Sequence, residues 1–323
     1  MFGYKAGRIP ACRLASTVRV MTDGPQIGLI VPRFEDLSAF YQAADQMGFH
    51  SLWVTEMLFN RAWTGSKGLD SFGVLTAAAS VTSRIRLLTE VLWPLHHPIL
   101  SFADEMANID NLSGGRLSLG LSNGSWPGEG DRDGSRTKAG GRLQETITVL
   151  KSLWLEPEVS FKGSHFNLEG ASLDTRPIQN GGIPILVAGV TSASVNLAAT
   201  LADGWVHPSG GAPECIERGC QIVKQVSERA GRDPDSLDLV KVIYLSIDDN
   251  RAKARERIAP FLEGFYRGRY DVDSWCAFGP PADCAAFIKK FLDAGFTTVM
   301  LCLVPPDAEH LERSHREVIP LLI

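Results

Sequence analysis

Two carboxylates stand where acid–base or polarising chemistry could be done. Glu90 interrupts an apolar run, with Ile85-Arg86-Leu87-Leu88-Thr89 before it and Val91-Leu92-Trp93 after it. A charge at such a strand end either faces outward at a rim or turns into a cavity, where burial would shift its proton affinity. Glu56 closes a second run, Ser51-Leu52-Trp53-Val54-Thr55, in the same way. Together the two acids would suit proton transfer or, in another enzyme class, glycoside hydrolysis. A second kind of chemistry is suggested by Gly189-Val190-Thr191, which leads straight from an apolar run into a helical pattern. Free N–H groups and the positive end of a helix dipole there form a phosphate cradle, to which Thr191, Ser192 and Ser194 add hydroxyls. Ordinary N-capping explains the same residues. Ser122-Asn123-Gly124-Ser125-Trp126-Pro127-Gly128 opens a long loop whose glycines permit close backbone approach to a ligand. In that loop Arg132, Arg136 and Lys138 are offset by Glu129, Asp131 and Asp133, as in a solvated loop.

Other chemistries lack their residues. Adjacent His96 and His97 on a strand end would point apart, and no cysteine or third ligand accompanies them, so no metal site is expected. The 6 cysteines are scattered, with no CxxC pair and no zinc spacing, which reads as reduced thiols in a cytoplasmic protein. No GxSxG elbow marks a serine hydrolase.

The elements that must position these groups alternate along the chain. Strand-like runs lie at Gly28–Val31, Ser51–Val54, Ile85–Leu92, Leu117–Leu121, Ile185–Ala188, Gly204–Val206, Leu239–Ile247 and Thr298–Leu303. Between them lie helical patterns, such as Leu37, Phe40, Tyr41, Ala44 and Met47 on one face with Gly48 as a stop. Pro98 opens another helix in its first turn, and Gly114-Gly115 ends it. Sustained βα alternation means a parallel sheet, and this many units fit an α/β (β/α)8 TIM barrel better than an open sheet. Val31-Pro32-Arg33-Phe34 has no glycine, so the first turn carries no dinucleotide fingerprint.

We expect one barrel domain over residues 25–323, with insertions near 122–140, 156–182 and 265–280. The second of these reads as a β-hairpin formed by Val159–Gly163 and His165–Leu168. Residues 1–24 read as a disordered extension: Met1–Thr22 holds Lys5, Arg8, Arg13 and Arg19 and no acid. With 323 residues, 44% of them hydrophobic, the chain can bury a sizeable core without staples. Its net charge of -5 gives no global attraction to nucleic acid or anionic membranes, and no apolar run approaches a membrane span.

In a barrel the site is built from loops at the C-terminal ends of the strands, which is where Glu56, Glu90, Asn123, Gly189 and His207 fall. Several motifs resemble the luciferase-like monooxygenase superfamily. They are Gly48-Phe49-His50-Ser51-Leu52-Trp53-Val54, Pro94-Leu95-His96-His97-Pro98, Leu112-Ser113-Gly114-Gly115-Arg116-Leu117, Ala202-Asp203-Gly204-Trp205 and Ala294-Gly295-Phe296. The likeness runs in order from about residue 26 to 322. It implies a barrel, commonly a homodimer, that binds reduced FMN or coenzyme F420. The ring would lie over a bulge mapped onto Thr89-Glu90-Val91, often with a non-proline cis peptide, and the phosphate would lie at Asn123-Gly124 and Gly189-Val190-Thr191.

Two residues depart from the family pattern. Many relatives carry an acid followed by histidine where this chain has Glu56-Met57, and Glu90 replaces a residue that is usually small. The leading reading is an F420-dependent oxidoreductase moving a hydride between deazaflavin and a small organic substrate, with Glu56 and Glu90 as catalytic candidates. The alternatives are an FMNH2-dependent two-component monooxygenase served by a separate reductase, and a non-catalytic flavin-binding barrel. Trp53, Trp63, Trp93 and Trp126 are candidates for apolar walls, or for plain packing in the case of Trp53. Loop 265–279, with Tyr266, Arg267, Tyr270 and Trp275, is either a lid or a surface insertion.

Overall fold

The computed structural model describes residues 25–30, 37–56, 70–123, 135–211, 213–266 and 270–323. The expected extension at 1–24, together with Arg33, Trp63, Gly124, Trp126 and Arg267, lies outside the described residues.

Strand and helix alternate as the apolar periods require. The order is β1 (Gln26–Ile30), α1 (Leu37–Met47), β2 (Ser51–Val54), α2 (Ser71–Val81), β3 (Arg86–Thr89), α3 (Ile99–Ser113), β4 (Leu117–Leu121) and α4 (Ser135–Leu155). The hairpin β5 (Val159–Lys162) and β6 (Asn167–Ala171) follows, then β7 (Ile185–Ala188), α5 (Ser192–Thr200), β8 (Gly204–His207), α6 (Pro213–Arg229) and β9 (Asp238–Ile247). The chain ends with α7 (Arg251–Tyr266), α8 (Val272–Trp275), β10 (Ala277–Gly279), α9 (Pro281–Asp293), β11 (Thr298–Leu303) and α10 (Ala308–Arg313).

The main sheet runs β10-β9-β11-β1-β2-β3-β4-β7-β8 and closes through β8 against β9. Its pairings are all parallel, and eight of its strands make a closed (β/α)8 barrel. β10 was not anticipated. It adds three residues beside Leu245–Ile247 at the end of β9, a run too short to show a period in sequence. The segment expected as a loop over 265–279 therefore contains the end of α7, all of α8 and this strand. The hairpin is antiparallel as expected, and its tip is held by Glu145 of α4, which accepts the N–H groups of Ser164, His165 and Phe166.

Side chains alternate across each strand, so the core falls into two clusters. One lies between strands and helices, with Leu29, Leu52, Leu87, Leu119, Phe102 and Trp205. The other fills the barrel and continues under α7, α8 and β10, with Ile30, Trp53, Leu88, Val206, Tyr244, Tyr270 and Cys302. Truncating a fully buried member such as Leu119→Ala would cost about 2–5 kcal/mol. Trp53 is fully buried and donates from Nε1 to Ser51 Oγ at 2.6 Å, so it packs inside the barrel.

The third strand is shorter than the expected Ile85–Leu92. Its ladder to β4 breaks at Thr89, whose hydroxyl accepts from Gly120 N and donates to Gly120 O, both at 2.9 Å. Pairing resumes at Leu92, which bridges Leu121. Gly120 permits this approach, since a Cβ there would overlap the Thr89 carbonyl oxygen.

Candidate active site

The break in β3 creates the central feature of the C-terminal mouth. Arg86, Leu88 and Glu90 share one face by alternation, and Leu88 belongs to the interior cluster, so Glu90 turns inward at the rim. Glu90 N donates to Val54 O at 2.8 Å, and the Glu90–Val91 peptide is cis. The Glu90 carboxyl makes no hydrogen bond to a described residue and stays partly exposed within the mouth. Burial pushes its pKa up to about 8, and the charge of Lys241 pulls it part of the way back. It therefore holds its proton at neutral pH and can act as a donor.

Groups on the β9 and β11 side sense the charge of Glu90. Tyr244 and Cys302, partners in register, both have proton affinities raised by burial first and by Glu90 among the later causes. The Tyr244 hydroxyl lies 3.0 Å from that of Tyr266, which lies 2.6 Å from Ser209 Oγ.

Lys241 escaped the sequence reading, although a lysine inside Leu239-Val240-Lys241-Val242-Ile243 was a usable signal. Its neighbours Val240 and Val242 face inward, so it faces the helices, where its ammonium lies over the Phe291 ring. The ammonium donates to Pro208 O at 2.6 Å and Gly210 O at 3.3 Å, fixing the loop after β8. Burial lowers its pKa to about 7, against the opposing pull of Glu90. Burial and then Lys241 hold His207 down at about 4, so this rim histidine is neutral.

Glu56 is not brought into the mouth beside Glu90. It is buried toward the helices, where it accepts Trp93 N–H at 2.5 Å and faces His97 Nε2 at 2.8 Å. The His97 ring packs between Phe72 and Phe102, at 5.0 and 5.5 Å between centroids. The hydrogen bond to Glu56 raises the pKa of His97, so Glu56 clamps the turn after β3 through a charge-assisted bond. The two histidines do point apart: His96 is exposed while His97 turns to Glu56. Among the described residues no three His, Cys, Asp or Glu groups are placed to hold a metal.

The rim between β4 and β7 has the makings of the anion end. Leu121 pairs with Val187, so Asn123 and Gly189 follow adjacent strands. Gly189 has φ 133°, and a Cβ there would press on Ser194 Oγ at 2.8 Å. Its carbonyl is held from below by Trp205 Nε1 at 2.8 Å. Thr191 caps α5, accepting from Ser194 N at 3.2 Å, while Val190 is 62% exposed and free for a ligand to cover. Asn123 Oδ1 and Thr55 Oγ1 are buried with no partner among the described residues. Buried polar atoms are rarely left so unless something else completes them. A phosphate-bearing coenzyme with a flat polar ring fits this rim: a side-chain-free, left-handed Gly189, a helix start and open polar atoms face one mouth.

The luciferase-like monooxygenase family model matches residues 14–285. The chain belongs to that family. An F420-dependent glucose-6-phosphate dehydrogenase of Beutenbergia cavernae is 29% identical over 326 residues, covering 89% of this chain and 93% of its own. An F420-dependent hydroxymycolic acid dehydrogenase of Mycobacterium tuberculosis is 30% identical over 230 residues, 69% of this chain and 62% of that protein. In fold, the luciferase-like barrel is similar to an F420-dependent secondary alcohol dehydrogenase solved with an F420–acetone adduct. That likeness has a TM-score of 0.80 and 20% identity, over 93% of this chain and 99% of the other. No helix among the described residues is long and apolar enough to cross a membrane.

Proposed function

We propose that this barrel is a coenzyme F420-dependent oxidoreductase that moves a hydride between the deazaflavin and an organic substrate. The feature that carries the reading is the Glu90 carboxyl, turned into the mouth with no hydrogen bond to a described residue and with its pKa pushed up by burial to about 8. The naming of several relatives as F420-dependent dehydrogenases supports it.

When bound, the coenzyme supplies or accepts the hydride. The chain does the rest. Thr89, Glu90 and Val91 form the shelf beneath the ring, and Thr89 fixes that shelf by bonding to Gly120. Asn123, Gly124, Gly189, Val190 and Thr191 hold the phosphate end with backbone N–H groups and the Asn123 amide. Glu90 donates its proton to the substrate oxygen when a carbonyl is reduced and takes it back when an alcohol is oxidised. Glu56 acts behind it, holding the Trp93–His97 turn against the shelf. The barrel works as a cytoplasmic homodimer over residues 25–323, with a separate reductase restoring the coenzyme.

The test is titration of the purified protein with F420 and with FMN, each oxidised and reduced, followed by absorbance on substrate addition. Binding and turnover with F420 alone is the expected result. Turnover only with reduced FMN and oxygen would make the protein a monooxygenase. Tight binding without turnover would make it a carrier barrel, and no binding of either ligand would overturn the reading.

A further inference from the structure

The turn after β7 carries a backbone choice that a glycine leaves open. With Gly189 at φ 133°, the peptide that follows it can stand either way round, its carbonyl turned into the protein or out of it. The Gly189–Val190 peptide is trans, so its C=O and N–H point in opposite directions. Whatever fixes the Gly189 carbonyl therefore aims the Val190 N–H.

Trp205 of β8 fixes it. The indole Nε1 donates to Gly189 O at 2.8 Å. An indole N–H can only donate, so it holds a carbonyl but would confront the N–H of a reversed peptide with a second donor. The ring has one place to lie. It is 1% exposed, stacks on Phe296 with centroids 6.1 Å apart and 21° between planes, and meets His207 edge-on at 5.3 Å. Gly219 of α6 makes room for it, since a Cβ there would come within 2.8 Å of the indole. Packing thus places the single polar atom of the ring, and burial requires that atom to be bonded.

On the far side of the peptide the N–H groups form a run. Those of Val190, Thr191, Ser192 and Ala193 meet no acceptor among the described residues, and they lead into the start of α5. An outward carbonyl would put partial negative charge at the head of this run, whereas an outward N–H adds to the positive end of the helix. Beside it on the β4–β7 rim, the buried Asn123 Oδ1 has no described partner and independently calls for a ligand.

We propose that Trp205 is a positioning residue for the coenzyme phosphate: it holds the Gly189 carbonyl inward and so turns the Val190 N–H outward, at the head of the donors that receive the anion. This rests on the reading of the 189–191 turn as the phosphate end of an F420 site. Trp205 touches no ligand and acts through Gly189 alone. The tryptophan of Ala202-Asp203-Gly204-Trp205 thereby gains a task beyond filling the layer between strands and helices.

The experiment uses two ligands that differ by the phosphate alone: the deazaflavin of F420 cut back to its ribityl chain, and the same molecule carrying the ribityl phosphate. Binding of each to the full chain is followed by fluorescence. Trp205→Phe keeps a ring in the stack and removes the donor. Trp205→benzothienylalanine keeps the bicyclic outline and replaces only the N–H by sulfur, so it decides where the two variants differ or the smaller ring fails to fold. Phe296→Leu is the control, loosening the packing around the indole while leaving its N–H in place. Wild type should bind the phosphate form more tightly. In the Trp205 variants the Kd of that form should rise about three- to tenfold, as for one lost hydrogen bond, while the Kd of the phosphate-free form changes less than about twofold. Phe296→Leu should lower the melting temperature and leave the ratio of the two affinities at its wild-type value. A wild-type ratio in the Trp205 variants, or an equal loss of the ratio in Phe296→Leu, would overturn this inference while leaving the F420 reading intact. A wild type that binds both forms equally, or neither, would instead overturn the reading of the turn beneath it.

Discussion

The two ends of the barrel treat polar groups in opposite ways. At the N-terminal end several are tied down, although Ser227 Oγ near the end of α6 has no partner among the described residues. Arg86 inside the barrel donates to Ser118 at 2.7 Å, and Asp45 accepts the N–H groups of Ser83, Arg84 and Ile85 as they enter β3. Arg116 gathers Thr82, Ser113, Ala79 and Ile85 around its guanidinium. At the C-terminal end Glu90, Asn123 and Thr55 present groups that no described residue completes. Satisfied buried groups stabilise a fold, and unsatisfied ones cost stability until a ligand answers them. The contrast divides the barrel into a stability end and a ligand end.

Substitutions can break this division. The largest expected effect is on activity: Glu90→Gln should lower turnover about 10²–10⁴-fold, the usual weight of a general acid. Its melting temperature should hold, because a neutral amide replaces a carboxyl that is protonated at neutral pH and bonds to no described residue. A parallel loss of stability would contradict the division. Asp45→Ala should do the reverse, destabilising by about 2–3 kcal/mol in urea melts while coenzyme affinity of the folded protein stays unchanged. Burial works against the Asp45 charge, but the Ser83, Ile85 and Arg84 N–H groups outweigh it and hold its pKa low. Its contribution is thus present above the unfolded carboxylate range and is lost as pH falls through the folded value.

Glu56→Gln sharpens the comparison, because Glu56 sits at the ligand end yet is bonded like the other end. It should cost about 1–2 kcal/mol and bring the His97 pKa back down in an NMR titration. The His97 pKa is raised in the fold, so the stability difference from wild type is greatest below pH about 6.5 and shrinks as pH rises through the folded value. A large loss of activity with no change at His97 would instead make Glu56 a participant in the chemistry. Asn123→Ala is the mildest: coenzyme affinity should fall about three- to tenfold while stability is unchanged, since Oδ1 has no partner among the described residues to lose.

Much of this was legible in the chain. Eight apolar runs alternating with helical patterns lead to the barrel, and Glu90 stood out as a carboxylate in an apolar strand end. What stayed hidden depends on contacts between distant segments. Glu56 and His97 are 41 residues apart and meet only because β2 and β3 are neighbours, so the two acids read as a pair while the acid and the histidine did not. Lys241 stands out in its apolar run, but its tie to Pro208 and Gly210 in the loop after β8 does not show in sequence, and β10 was hidden by its length of three residues. The Tyr244–Tyr266–Ser209 line joins β9, the end of α7 and the loop after β8, and no sequence period connects them.

The central claim is that Glu90 delivers a proton inside the mouth while a hydride moves. Single-turnover oxidation of bound, reduced F420 by a ketone, followed from acid to alkaline pH in wild type and Glu90→Gln, tests it most directly. The wild-type rate should be high while Glu90 is protonated and fall as pH rises through about 8, with the variant slow and flat across that range. A wild-type rate that ignores pH there, or a variant that matches wild type, would contradict it.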